Sequence, residues 1–293
     1  MTDPQAPAPR DVAAREASKT AVGVALLRLA HQLIDAEPRI LDDPVAIALA
    51  GPEVIEAVRA RADELQVPAT RALRAHVLLR SRYAEDCLAE AYDRGVRQYV
   101  VLGAGGDTFA YRQPAWARDL RVIEVDHPAS QQQKRARLAA SRVVVPANVE
   151  FAAVDFETVS LAEGLVRAGF DLARPAFFSW LGVTMYLTED AVDAVLAFVG
   201  ALADDTEIVF TFAQRPTDDP RDEGRRQMAK QAAEVGEPWL SYFEPVDLTR
   251  KLEGFGFSTV SFLHPSDAER KYFAGRADAL PAPRRATICR ATV

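Results

Sequence analysis

Cysteine is nearly absent from this chain of 293 residues: Cys87 and Cys289 are the only two, and no C-x-x-C spacing occurs. That excludes a disulfide framework and a cysteine-based zinc ribbon, and it points to a reducing, cytoplasmic setting. Histidine is scarce too. His31, His76, His127 and His264 lack the short spacings that assemble a zinc site, so no metal is expected. Apolar runs fall well short of the roughly 20 residues that span a bilayer, and the leading MTDPQAPAPRD has no apolar signal-peptide core. Neither membrane insertion nor export is expected. Lysine is rare beside arginine, and with abundant alanine this pattern matches GC-rich coding rather than function. A formal net charge of −7 argues against nucleic acid as a partner, since phosphate contacts need a basic surface. What is present, 49% hydrophobic and 26% charged residues, is ordinary for a soluble globular protein long enough to bury a substantial core.

Residues 1–17 are rich in proline, alanine and charge, and are expected to form a flexible tail. Ala21-Ile34 is apolar nearly all round, as in a helix buried beneath others. Asp42-Asp43-Pro44 opens a short helix, and Val54-Leu65 and Ala69-Asp93 are further helices separated by Pro68. From Tyr99 the pattern changes. Strand candidates at 99–102, 121–125, 149–154, 176–181, 206–212, 257–263 and 286–292 alternate with helical patterns near 107–112, 128–141, 158–168, 189–203 and 245–254. That alternation predicts βαβ units, hence a mostly parallel sheet covered on both faces. No helical pattern separates the last two strands, so they are expected as an antiparallel, hairpin-like edge. Residues 214–244 form a long insertion with a charged helix (Arg221-Val235) followed by Pro238, Trp239, Tyr242 and Phe243. Large aromatics favour a lid over disorder.

The most informative stretch is YVVLGAGGD, Tyr99 to Asp107: a buried strand opening into Gly103-Ala104-Gly105-Gly106. In an open α/β sheet, this is where a nucleotide-like cofactor lies, and glycines let it approach the backbone. A dinucleotide fingerprint needs G-x-G-x-x-G, but Thr108 holds the third glycine's place and Asp107 brings negative charge where phosphate would sit. S-adenosylmethionine, with a sulfonium, an ammonium and no phosphate, suits the pattern better. The strand Arg121-Val125 ends in Asp126, about 20 residues on, where a carboxylate accepts ribose hydroxyls. Asp155-Phe156 ends the third strand, at the adenine end. Arg80 sits amid the stripe Leu73, Val77, Ala84, Leu88 and Ala91. A guanidinium there needs an anion, either the cofactor's carboxylate or an internal acid. The fourth strand ends in Trp180-Leu181-Gly182, near the expected methyl group, followed by Thr184, Met185 and Tyr186.

The segments R-S-R-Y (80–83), G-V-R-Q-Y-V-V-L-G-A-G-G-D-T (95–108), E-V-D-H-P (124–128), V-D-F (154–156) and L-G-V-T-M-Y-L (181–187) together resemble the leucine carboxyl methyltransferase-like family. S-K-T-A (18–21) and I-L-D-D-P-V-A (40–46) match that family's entry segment, so the likeness covers most of the chain. The resemblance implies a Rossmann-like class I methyltransferase of the α/β class. Its seven-stranded, mostly parallel sheet has the last strand antiparallel, with N-terminal helices and a helical lid insertion. Residues 18–293 would then be a single methyltransferase domain: an N-terminal helical region (18–95), a cofactor-binding core (96–213), the lid (214–244) and the C-terminal part of the core (245–293). S-adenosyl-L-methionine would meet Arg80 at its carboxylate, Gly103 and Gly105 along the backbone, Asp126 at the ribose, and Asp155 and Phe156 at the adenine. Lys19 or Thr20 would also reach the carboxylate. Leu181 departs from the family, which commonly has glutamate there, so one cofactor contact is lost or replaced. Phe156 replaces the usual leucine, a mild change.

The expected activity is O-methylation of a carboxylate on a small molecule or peptide, in secondary metabolism. A carboxylate is already ionised at neutral pH, and catalysis is then chiefly positioning, with no catalytic base required. A phenol-type hydroxyl acceptor would need proton removal, for which Tyr186, His31 or His264 would be recruited. Non-catalytic cofactor binding is the reading from a different class, and Leu181 is its support. An NAD-dependent oxidoreductase is disfavoured by Asp107 and Thr108.

Overall fold

The computed structural model describes residues 19–156, 160–219 and 222–293; the expected tail at 1–17 lies outside them. Four helices come first: α1 (Lys19–Ile34), α2 (Pro44–Ala60), α3 (Ala62–Leu65) and α4 (Pro68–Asp93). Proline suits the first turn of α2 and α4, where its missing N–H would have no helical partner. The Asp43 side chain caps α2 by accepting from Ala46 N at 3.0 Å. At Gly51-Pro52 the helix kinks, the junction between two helices that the sequence separates there.

Then come β1 (Gln98–Leu102), β2 (Arg121–Asp126), α5 (Pro128–Ala140), β3 (Val149–Ala153), α6 (Leu161–Arg167), β4 (Phe177–Trp180), α7 (Glu189–Gly200) and β5 (Glu207–Thr211). The chain ends with α8 (Glu223–Glu234), α9 (Pro245–Gly254), β6 (Thr259–Phe262), α10 (Pro265–Ala268) and β7 (Ile288–Thr292). One seven-stranded sheet results, in the order β3-β2-β1-β4-β5-β7-β6. β7 runs antiparallel to both its neighbours, and the pairs among β1–β5 are parallel. β1, β4 and β5 are buried along their whole length, as strands covered on both faces must be.

The two faces carry separate cores, because side chains alternate along each strand. Val100, Leu102, Ile123 and Val125 pack with Leu165 of α6, Val195 of α7 and Leu252 of α9. Tyr99, Val101 and Val122 pack with Leu78, Leu79 and Leu88 of α4. Three expectations change. The helix near 107–112 is only a three-residue 3₁₀ turn, Phe109–Tyr111. The connection between the last two strands does hold helix, α10 and a π turn at Glu269–Phe273. The final pair is antiparallel, yet β7 enters the interior of the sheet and β6 forms the edge. Buried Ile288, Cys289 and Ala291 explain the first position, and the half-exposed Thr259-Val260-Ser261 of β6 the second. Among the described residues no helix is long and apolar enough to cross a membrane.

Candidate active site

Strand order locates the site. From β1 the chain steps outward through β2 to β3, then returns across β1 to β4 and continues the other way. Loops leaving β1 and β4 therefore diverge, opening a crevice at their carboxyl ends. Glycine stands at both exits. Gly103, at φ +64°, has Val183 so close that an added Cβ would lie 2.4 Å from Cγ2. Gly182, at φ +78°, leaves room for Arg80, whose Nη1 would be 2.3 Å from such a Cβ. Around this crevice lies a cavity of 2380 Å³, well above the roughly 300–1,000 Å³ of ordinary small-molecule pockets.

At the β1–β3 side, the Gly105 N–H donates to Asp126 Oδ2 at 2.5 Å and the His127 N–H to Oδ1 at 2.7 Å. Burial raises the Asp126 carboxyl above its ordinary value, against the pull of those two N–H groups. Asp155 and Phe156 continue the same wall, Phe156 with its ring 5.9 Å from Trp180. Asp107 is less bare than the sequence implies. Burial opposes its charge, but Arg28 Nη1 at 3.3 Å, with Lys134 and Arg112, holds its carboxyl below the usual range. Phosphate is therefore disfavoured less by Asp107 than by the turn after it. Three residues of 3₁₀ helix supply little of the aligned dipole that binds pyrophosphate.

Arg80 faces this crevice from α4. No carboxylate among the described residues lies within ion-pairing distance of it. Burial lowers its pKa to about 10; Tyr186 and Asp107 oppose that shift, and Arg28 adds to it. Six residues earlier, Arg74 shows the alternative. It is fully buried and forks onto Asp35 with two bonds of 2.8 Å. One arginine of α4 is thus a structural pair, and the other presents its charge to the cavity.

The opposite wall comes from the lid and the entry helix. Lys19 is the first residue of α1. Thr20 donates to Glu237 from its N–H at 3.2 Å and from its hydroxyl, tying α1 to the loop after α8. Leu181 and Tyr186 line the cavity beside Gly182. Of the lid aromatics, Trp239 lines it; the Tyr242 ring lies tilted against Trp239, centroids 6.2 Å apart, and Phe243 is buried in the core.

Two expected acceptor-side histidines stand elsewhere. His31 is fully buried, with Nδ1 2.7 Å from Asp35, as part of the Arg74 pair. His264 caps α10 by accepting from Ser266 N at 3.3 Å. Neither lines the cavity. Three lining residues were missed. Arg28 bonds Asp43, Asp107 and Thr108; its signal was a lone charge within an apolar helix. His76, one turn before Arg80, is held near pKa 3 by burial and by Arg80's charge. Gln214, beyond β5, is 7% exposed. The wall at 279–287 had no sequence signal. Among the described residues no cluster of three or more His, Cys, Asp or Glu could hold a metal.

The leucine carboxyl methyltransferase family model matches residues 21–200. An inferred S-adenosyl-L-methionine-dependent methyltransferase of Bacillus subtilis, YktD, is 34% identical over 208 residues, 70% of this chain and 68% of that protein. One from Streptomyces coelicolor is 35% identical over 189 residues, 62% of this chain and 63% of its own length. The fold is also that of a DUF574-family protein from Streptomyces avermitilis, with a TM-score of 0.56 at 18% identity, covering 91% of this chain and 95% of that one. The switch-point crevice, the glycine exits and the matched residues lead to one statement: this chain belongs to the leucine carboxyl methyltransferase family and is an S-adenosylmethionine-dependent methyltransferase.

Proposed function

We propose that the protein methylates a carboxylate oxygen of a small molecule or peptide. The residues at the crevice suit the cofactor on a direct test: Arg80 is a half-buried cation lining the cavity without a carboxylate partner among the described residues. Arg80 would take the cofactor's carboxylate, and Asp126 the ribose hydroxyls. The Gly103–Gly106 loop would lie along the molecule, with Asp155 and Phe156 at its base. Thr20 and Lys19 would close it from α1. When bound, S-adenosylmethionine supplies a methyl group on a positively charged sulfur, open to in-line displacement by oxygen. This chain's part is to hold an oxygen in line and to exclude water.

The observation that carries the carboxylate reading is His76. It is the imidazole on the Arg80 side of the cavity, and at a pKa of about 3 it is a poor base at neutral pH. His127, also on the wall, is engaged at the start of α5, where Nδ1 accepts from Ala129 N at 3.3 Å. Neither imidazole on the cavity wall is thus matched to take a hydroxyl's proton; a carboxylate acceptor needs no base. Incubating the protein with methyl-labelled cofactor and separate carboxylate and phenol panels tests this. Label in alkali-labile esters is expected. Transfer to phenols alone would end the carboxylate reading, and cofactor binding without any turnover would leave a non-catalytic binder.

A further inference from the structure

We infer that the methyl acceptor is an amphipathic, long-chain carboxylic acid, its carboxylate held by Gln214 and Trp239 and its hydrocarbon body lodged between α1, α2 and α8. This rests on the methyltransferase reading above and names its substrate class.

The first observation is size joined to surface. One cofactor, as a drug-sized ligand, fills at most about 1,000 Å³, so more than half of the 2380 Å³ cavity is left for the acceptor. That remainder is walled by apolar side chains that stay exposed among the described residues. Val22 and Leu26 of α1, Val54 of α2, and Val235 and Leu240 of the lid are each 37–52% exposed, and all five line the cavity. Exposed apolar surface gathered on the wall of one chamber marks a place for apolar matter. A short, highly charged acceptor would leave it unmatched.

The second observation is polar and independent of the first. Gln214 is 7% exposed, yet its Oε1 has no partner among the described residues, and the indole Nε1 of Trp239 is likewise buried without one. Buried polar groups are normally satisfied. Both residues line the cavity and flank the turn after β4: Leu240 N donates to Met185 O at 2.7 Å, and Phe243 N to Ala213 O at 2.8 Å. The ends of a carboxamide interchange by a half-turn. Gln214 Nε2 and Trp239 Nε1 therefore offer two uncharged N–H donors to one carboxylate. Neutral donors hold the ionised acid and release the ester without leaving a cation unpaired. In the reaction a carboxylate oxygen forms the new O–CH₃ bond as the S–CH₃ bond breaks. The bonding pair passes to sulfur, yielding S-adenosylhomocysteine and a methyl ester, with no proton lost.

The test uses full-length protein saturated with S-adenosylhomocysteine, whose binding is measured first by calorimetry. Hexanoate, decanoate, tetradecanoate and the short diacid glutarate are then titrated below their micellar concentrations, with decanol as the uncharged control. Affinity for the monoacids is expected to rise roughly two- to fourfold per methylene, with glutarate the weakest. Trp239→Phe, which keeps a ring but removes the N–H, should raise KM for decanoate about tenfold. Gln214→Glu should abolish decanoate binding by charge repulsion and spare decanol and S-adenosylhomocysteine. Normal cofactor binding with a flat or inverted chain-length series overturns the acceptor class alone, as does wild-type decanoate affinity in Gln214→Glu. Failure to bind S-adenosylhomocysteine overturns the methyltransferase reading and this inference with it.

Discussion

Replacing each of two arginines on α4 with methionine separates a ligand-binding charge from a structural one. Arg74 forks onto Asp35 inside the helical layer, with neither side chain more than 2% exposed. Removing its guanidinium leaves the buried Asp35 carboxylate with His31 alone, and breaking such a buried pair costs about 3–5 kcal/mol. Arg80 has no such partner among the described residues, so Arg80→Met removes a cation whose burial costs free energy in the ligand-free fold. Unfolding stability without cofactor should be unchanged or higher by up to about 1 kcal/mol, as an uncompensated charge is replaced by an apolar side chain. Cofactor affinity should move the other way. Loss of a charge-assisted hydrogen bond is worth about 1.5–3 kcal/mol, or roughly a 10- to 150-fold rise in Kd. Urea unfolding of the ligand-free variants and calorimetry with S-adenosylhomocysteine read the two quantities separately. An Arg80→Met variant that loses as much stability as Arg74→Met, or that binds cofactor as tightly as the parent, would refute the assignment of Arg80 to the ligand.

Asp126 gives a pH signature. Its carboxyl is raised above the ordinary 3.8 by burial, so on acidification it takes up a proton earlier than an exposed aspartate. Cofactor affinity should fall as pH drops through that raised value. The ligand-free fold gains stability from the same group between its folded pKa and the ordinary one, because a raised carboxyl pKa means the native state binds the proton more tightly. The two pH trends oppose each other, and the difference between parent and Asp126→Asn isolates both; identical affinity profiles would remove Asp126 from the site. At the glycine exit, Gly103→Ala combines φ +64° with a Cβ 2.4 Å from Val183 Cγ2. A loss of about 2–4 kcal/mol in urea unfolding is expected, with Val183→Ala recovering the steric share only. A loss below 0.5 kcal/mol would contradict the contact.

The alternation of strand and helix from Tyr99 onward was legible because periodicity and burial follow from one another: β1 and β5 are built on the apolar runs Tyr99–Leu102 and Ile208–Phe210 and are buried along their whole length. Glycines at strand ends and the acids at Asp126 and Asp155 were legible for a similar reason, since the backbone itself carries strand ends to one edge of a parallel sheet. Tertiary structure decided what depends on distant partners. Sequence placed Arg80 on a helix face, but only packing shows that Arg74 has Asp35 and that Arg80 has no acid within ion-pairing distance among the described residues. His31 looked chemical in sequence and is consumed by Asp35, four residues on, which it shares with Arg74 from another helix. His76 and Gln214 carried no local signal, because a side chain becomes a wall of a cavity only when α1, α2, α8 and residues 279–287 close around it. Local pattern determines which backbone forms; pairing and enclosure across the fold determine which charges are left for a ligand.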